Sequence, residues 1–370
     1  MKKFYKIYSI KKMFIKFLYK FIVIVSLIYL IIILILIYLG SIKTLQLQHL
    51  LKKKNTNIVV SFTTTPHRIE DIKPVLKSIE RQSIKPNKIY VNVPWKFKRT
   101  NQEYVIPNWL KIYPNIIINR TQDYGPATKL IATLEKETDP STIIITVDDD
   151  TIYPKHMVRD LVQPYFCKNY KETYHTGAVF SGIGLNALFD AFHSFYVESI
   201  FLNNHPGLLV VGIGGVAYKR EFFKEDIFSF IKSLPLSCFL SDDLTISMYL
   251  LARGVNIIKV NGVSYNHLFK SDLLKRLPSS TTEDALSKGA SGIAHGGNEA
   301  NYCYCLDHLL QQNNTKKFSQ IIFQRSELIH QIVVNDINKI ITQQFYYTYL
   351  LNHFIKNFPF VEDMVLALIE

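Results

Sequence analysis

Residues 143–154 read IIITVDDDTIYP, a β-branched apolar run that ends in three adjacent carboxylates, Asp148, Asp149 and Asp150, with Pro154 close behind. The run TIIITV (142–147) has the composition of a strand buried on both faces, and Pro154 stands where a following helix would begin. Like charges crowded at the end of a buried strand are unfavourable unless a cation joins them. Carboxylate oxygens combined with phosphate suit a hard divalent ion, Mg2+ or Mn2+. A bare Asp triplet is also compatible with a solvated turn capping the next helix. The apolar strand in front of it favours a site, because ligands of open α/β sheets collect beyond the carboxyl ends of the strands.

Three competing motifs fail on named residues. A P-loop NTPase needs G-x-x-x-x-G-K-[ST], which the chain lacks. A calcium EF-hand loop beginning at Asp148 needs Gly where Tyr153 stands. The aspartyl phosphatase pattern DxDx[TV] needs Thr or Val where Ile152 stands.

Outward from this run, short β-rich stretches alternate with helical patterns. Strands are predicted at 57–64, 88–94, 115–121 and 142–147, and helices near 69–82 and 126–137. A further strand is predicted at 208–218, a helix from about Asp243 to Arg253, and a strand at 256–265; the tail from about Asn301 reads as mostly helical. This alternation predicts an α/β fold with a mainly parallel sheet covered by helices.

The first 54 residues hold eleven Lys and no Arg, Asp or Glu, which leaves 32 basic against 30 acidic residues in the rest of the chain. The formal charge of +13 therefore belongs to the N-terminus and argues for a membrane surface rather than a nucleic acid. Residues 21–39, FIVIVSLIYLIIILILIYL, carry no formal charge and as a helix are long enough to cross roughly 30 Å of hydrocarbon. The expected organisation is a basic segment (1–20), a transmembrane anchor (21–39), a stem (40–56), a catalytic domain (57–300) and a helical extension (301–370). Seven Lys precede the apolar run and four follow it, which favours a cytoplasmic N-terminus and a single-pass, type II arrangement. That arrangement suits a Golgi-like lumen in a eukaryotic or viral setting, and an inner-membrane location in a bacterial one. Cys167, Cys238, Cys303 and Cys305 have no zinc-ligand spacing. They read as buried thiols, or as Cys303 and Cys305 pairing with the other two in an oxidising compartment. Asn119 and Asn313 fit short glycosylation sequons.

Five stretches in order give residues 57–270 a resemblance to GT-A glycosyltransferases, with the flavour of family-two and exostosin-like hexosaminyltransferases. They are SFTTTPHR (61–68), DYGPATKL (123–130), VDDDT (147–151), GIGGVAYKR (212–220) and FLSDDLTISMYLLARG (239–254). The resemblance implies nucleotide contacts from Thr63, Thr65 and Arg68, phosphate or sugar contact from Lys129, and close backbone approach to the sugar at Gly214 and Gly215. It reads Asp148–Asp150 as the DxD motif: Asp150 and Asp148 on the metal, with Asp148 and Asp149 toward ribose, sugar or metal-bound water. Asp243 is the implied catalytic carboxylate, with Asp242 beside it as partner or helix cap. GVNIIKVNGVSYNHLF (254–269) is similar to the passage that ends in the family's metal-binding His, here His267, with His295 as its rival. Implied partners are Mn2+ or Mg2+, a nucleotide-sugar donor with a UDP-sugar favoured, and a glycan, lipid or protein hydroxyl acceptor. A nucleotidyltransferase of similar fold is the alternative, although TTPHRIEDIK (64–73) lacks the Gly-rich loop it needs; a membrane-tethered protein that binds donor without turnover is a third.

Overall fold

The computed structural model describes residues 2–166, 178–185, 206–207, 209–260, 275–281, 304–305 and 308–309. The chain divides into two units, Met1–Asn55 and Thr56–Glu370. The first consists of one helix, α1 (Lys2–Lys53), which carries the apolar run. Every described side chain between Val23 and Leu39 is exposed, on all sides of the helix. Among the described residues no helix is long and apolar enough to cross a membrane.

The second unit is built on a mixed sheet. Its strands, in chain order, are β1 (Ile58–Thr63), β2 (Lys88–Pro94), β3 (Ile116–Thr121), β4 (Ile143–Thr146), β5 (Ala178–Leu185), β6 (Pro206–Gly207), β7 (Leu209–Lys219) and β8 (Asn256–Lys259). They lie side by side as β3-β2-β1-β4-β7-β5-β8-β6. The first four are parallel to one another, in the 3-2-1-4 order of a doubly wound nucleotide-binding half. β1 and β4 are buried almost throughout, as their Ile and Val content requires of central strands.

Beyond β4 the sheet changes direction. β7 runs antiparallel to it, with Val216 opposite Thr146. The residues that precede Val216 therefore pass the carboxyl end of β4, where the three Asp stand. A bulge between Val211 and Val216 breaks the β7–β5 register there, and Gly215 supplies the left-handed φ of +79°. β5 was not expected: AVFSGIGL contains two Gly and little alternation, and its pairing with β7 and β8 makes it a strand.

Covering helices include α2 (Lys73–Glu80), α3 (Thr128–Leu134), α4 (Met157–Val162), α5 (Asp226–Ser233) and α6 (Asp242–Leu251). α2 is shorter than the predicted 69–82, because Pro74 sets its first turn and the residues before it form turns. A buried polar bar positions α3 against the sheet. Ser61 Oγ donates to the Lys129 carbonyl, Asn92 Nδ2 donates to Ser61 Oγ (2.8 Å), and Asn119 Nδ2 donates to Asn92 Oδ1 (2.8 Å). Asn119 is thus a buried core residue with its amide committed, which overrides its sequon. The strand predicted at 256–265 is described only to Lys259, and Asn313 and nearly all of the predicted helical tail lie outside the described residues.

Candidate active site

The strand pairing brings β1, β2 and β4 to a common carboxyl edge, and the acidic run leaves that edge from β4. The Asp148 N–H donates to the Tyr153 hydroxyl (2.8 Å), which closes the turn. Asp149 accepts from Thr64 Oγ1 (2.7 Å), just past β1, and from Arg68 Nη1 (2.9 Å). The same Arg68 nitrogen lies 3.3 Å from Asp150, so one guanidinium serves two carboxylates. Arg68 is delivered by the turn after Pro66, where its N–H donates to the Thr65 carbonyl (3.1 Å).

Asp150 has a second cation from far along the chain, Arg276 Nη2 at 2.9 Å. A short ribbon pairing Thr151–Ile152 with Lys275–Arg276 holds it, together with a 2.7 Å bond from the Leu277 N–H to the Asp150 carbonyl. Asp149 and Asp150 are buried. Burial pushes the Asp149 carboxyl up to about 6, against the pull of Arg68 and with the help of Asp150.

Asp148 turns instead toward α3. Its Oδ1 accepts from Lys129 Nζ at 2.9 Å, and the same ammonium lies 3.1 Å from Asp242 at the first turn of α6. Burial alone would lower the Lys129 pKa, but Asp148, Asp242 and Asp243 together hold it well above the ordinary lysine value. Burial likewise opposes ionisation of Asp148, and Lys129, Arg276 and Arg68 overcome it, so this carboxyl sits below its usual range.

Asp243 differs from the other four. Both its oxygens face the Gly212 N–H, at 3.2 and 3.4 Å. Burial raises its pKa to about 8, with the Asp242 charge adding to the effect and Lys129 opposing it. A Cβ at Gly212 would lie 2.7 Å from Lys129 Nζ, 3.3 Å from Asp148 Oδ1 and 3.4 Å from Asp243 Oδ1. A side chain at Gly212 would therefore push the Lys129 ammonium away from the carboxylates it joins.

Arg68, Lys129, Asp148, Asp149, Asp150, Asp242 and Asp243 converge on one edge of the sheet. Thr63 Oγ1 donates to the Asn92 carbonyl within the sheet, and Thr65 shapes the turn that carries Arg68. It is Thr64, between them, that reaches the carboxylates. Close approach to the cluster occurs at Gly212, whereas the missing Cβ of Gly215 faces Leu161 and Met157 of α4; Gly214 is buried beside it in β7. His267 and His295 lie outside the described residues. Gly212 stood within GIGG and Thr64 within TTT, so composition signalled the stretch but not the residue. Arg276 carried no local signal. Cys305 pairs with Cys238, one of the pairings that the sequence left open beside buried thiols; that disulfide joins the turn just before α6 to the chain 67 residues on.

Among the described residues no group of three His, Cys, Asp or Glu is placed to hold a metal ion. The donor chemistry nevertheless fits a hard divalent cation. Asp148, Asp149, Asp150 and Asp242 pair with three cations, Arg68, Lys129 and Arg276, and Asp243 lies beside them with no ion pair among the described residues, so the carboxylates outnumber the cations and offer the oxygen donors that a hard divalent ion takes.

No protein-family model matches the chain, and no curated protein matches it. Solved structures that it resembles include TarS 1–349 of S. aureus in complex with UDP-GlcNAc, at 13% identity and TM-score 0.39, over 73% of this chain and 71% of that one. The galactosyltransferase LgtC with donor and acceptor sugar analogues follows, at 10% identity and TM-score 0.34, over 72% and 95%. Glucosyl-3-phosphoglycerate synthase from Mycobacterium tuberculosis, with Mn2+, UDP and phosphoglyceric acid, is 15% identical with TM-score 0.30, over 55% and 66%. At these identities and TM-scores the likenesses are loose.

Proposed function

We propose that the second unit is a GT-A glycosyltransferase that moves a sugar from a nucleotide-sugar donor, a UDP-sugar by preference, to a hydroxyl of a glycan, lipid or protein. The observation that carries this reading is the meeting of two acidic segments, Asp148–Asp150 and Asp242–Asp243, on the shared Lys129 at the ligand-binding edge of the sheet. Arg68, Lys129 and Arg276 supply positive charge for a diphosphate. Asp150 and Asp148, with His267, are the proposed ligands of Mn2+ or Mg2+. When bound, such an ion neutralises the negative charge that develops on the leaving diphosphate.

The remaining chemistry belongs to the chain's own side chains. In an inverting course, the anomeric carbon exchanges its bond to the diphosphate oxygen for one to the acceptor oxygen, and Asp243 takes the acceptor proton. The Gly212 N–H orients that carboxylate. Burial and the neighbouring Asp242 raise its proton affinity into the range useful to a base near neutral pH. Lys129, held between Asp148 and Asp242, couples the donor side to the acceptor side.

The first unit is proposed as a type II membrane anchor. A helix that exposes apolar side chains on every side between Val23 and Leu39 is poorly suited to water and well suited to lipid. The Cys238–Cys305 bridge supports an oxidising compartment, and hence a lumen supplied with sugar nucleotides. The test is incubation of the purified protein with Mn2+ and a panel of nucleotide sugars, read as metal-dependent donor hydrolysis or transfer. Asp150→Ala should abolish metal-dependent donor binding by calorimetry, and an active Asp150→Ala protein refutes the assignment.

A further inference from the structure

α2 carries a cation at every fourth position, Lys73 and Lys77, and the spacing continues through Arg81 and Lys85 just beyond the helix. Residues four apart share a helix face, so Lys73, Lys77 and Arg81 at the C-cap form one stripe while Val75, Leu76 and Ile79 are buried in the core; Lys85, in the irregular chain past the helix, lines the same cleft. The stripe lines a cleft of about 1030 Å³ whose other wall includes Tyr153 and Lys155. That wall is fastened to α2 and to the chain just past it. The Tyr153 N–H donates to Ser78 Oγ (3.1 Å), Gln82 Nε2 to the Pro154 carbonyl (2.7 Å), and the Ser83 N–H to the Lys155 carbonyl (2.8 Å).

Five cations thus line the cleft against two acids, Glu70 and Asp71. Glu70 accepts from the Trp109 indole N–H (3.0 Å), and Lys73 stands over the same ring. Lys85 donates to the Glu80 carbonyl. Among the described residues none of the five cations forms an ion pair. Like charges one helical turn apart repel, so an unpaired row on a fixed scaffold is stabilised by an anion from outside. No active-site carboxylate lines the cleft, but Tyr153 touches both regions, because its hydroxyl accepts the Asp148 N–H.

We propose that this cleft is a second anion site, separate from the sugar-nucleotide site, for a ligand bearing two or more phosphate groups. Cations four residues apart on a helix are about 6 Å apart along its axis, a spacing that suits successive phosphates better than a single small anion. Both a soluble polyphosphorylated molecule and the headgroup of a polyphosphorylated lipid offer this chemistry. The proposal stands independently of sugar transfer.

The test uses the full chain in detergent with EDTA, which removes metal-dependent donor binding. Tripolyphosphate and a short-chain phosphatidylinositol bisphosphate are titrated separately by calorimetry. At least one should bind, with affinity that falls as salt rises, and the tighter of the two identifies the source. The double variant Lys77→Gln/Arg81→Gln should weaken binding by roughly tenfold or more, since it removes two charge-assisted contacts. Lys155→Gln, on the opposite wall, should weaken it less, and Lys136→Gln/Lys232→Gln, at exposed positions elsewhere, should leave it unchanged. Melting temperatures of all variants check folding. The proposal is overturned if neither anion binds, or if the Lys77/Arg81 and Lys155 variants bind as the unaltered protein does.

Discussion

The two acidic segments at the sheet edge are neutralised in different ways. At the end of β4, Asp148, Asp149 and Asp150 meet three cations from three parts of the chain: Lys129 on α3, Arg68 after β1, and Arg276 on a distant ribbon. At the start of α6, Asp242 shares Lys129 with Asp148, and Asp243 has no cation of its own within ion-pairing distance among the described residues. In the first segment Lys129, Arg276 and Arg68 overcome burial at Asp148 and hold it below its usual range, whereas at Asp149 burial prevails. The second keeps a carboxyl whose proton is held near neutrality, which is the property a proton acceptor needs.

The sharpest way to break this contrast is Asp243→Asn. It should leave donor binding intact and lower turnover by about 10²- to 10⁴-fold, measured as kcat in saturating donor. In the unaltered protein the rate should rise with pH as Asp243 loses its proton, and the variant should lose that rise. Linkage gives a matching sign for stability. The folded state holds this proton more tightly than the unfolded chain, so the contribution of Asp243 to stability is present at low pH and is lost as pH rises toward about 8. Denaturant titrations across that window should show a shallower decline in the variant.

Lys129→Met should come next in effect. It strands Asp148 and Asp242 without their shared partner, and removing one member of a buried ion cluster costs about 3 kcal/mol or more in stability. A midpoint within error of the unaltered protein would mean the two segments are not joined through this lysine. Gly212→Ala places a Cβ among Lys129, Asp148 and Asp243, and should destabilise by about 1–3 kcal/mol while raising the KM for donor. The smallest effect is expected from Arg276→Gln. Its guanidinium is partly exposed and Arg68 remains beside Asp150, so stability should change by less than about 1 kcal/mol. A large loss there would show that the redundancy ascribed to the β4 end is not real.

Contiguity explains what the amino-acid order alone made legible. Asp148–Asp150 follow a strand that identifies itself by composition, and Asp242–Asp243 open a helix whose other residues are buried. Lys129 falls in the first turn of another. Each is a local pattern, set by the periods of strand and helix and by where charged residues interrupt them. The parallel half of the sheet was equally legible, since β1 to β4 declare themselves by β-branched runs.

Tertiary structure alone decided which residues of those stretches point at one another. Alternation along the chain sends Thr63 into the sheet while Thr64, one residue on, reaches Asp149. The bulge in β7 turns Gly215 toward α4 and leaves Gly212 beside the carboxylates. Arg276 reaches Asp150 across 126 residues, and Cys305 reaches Cys238 across 67. Such pairings arise from the folding of the whole domain, because a charge or thiol carries no local record of the distant group that will balance it.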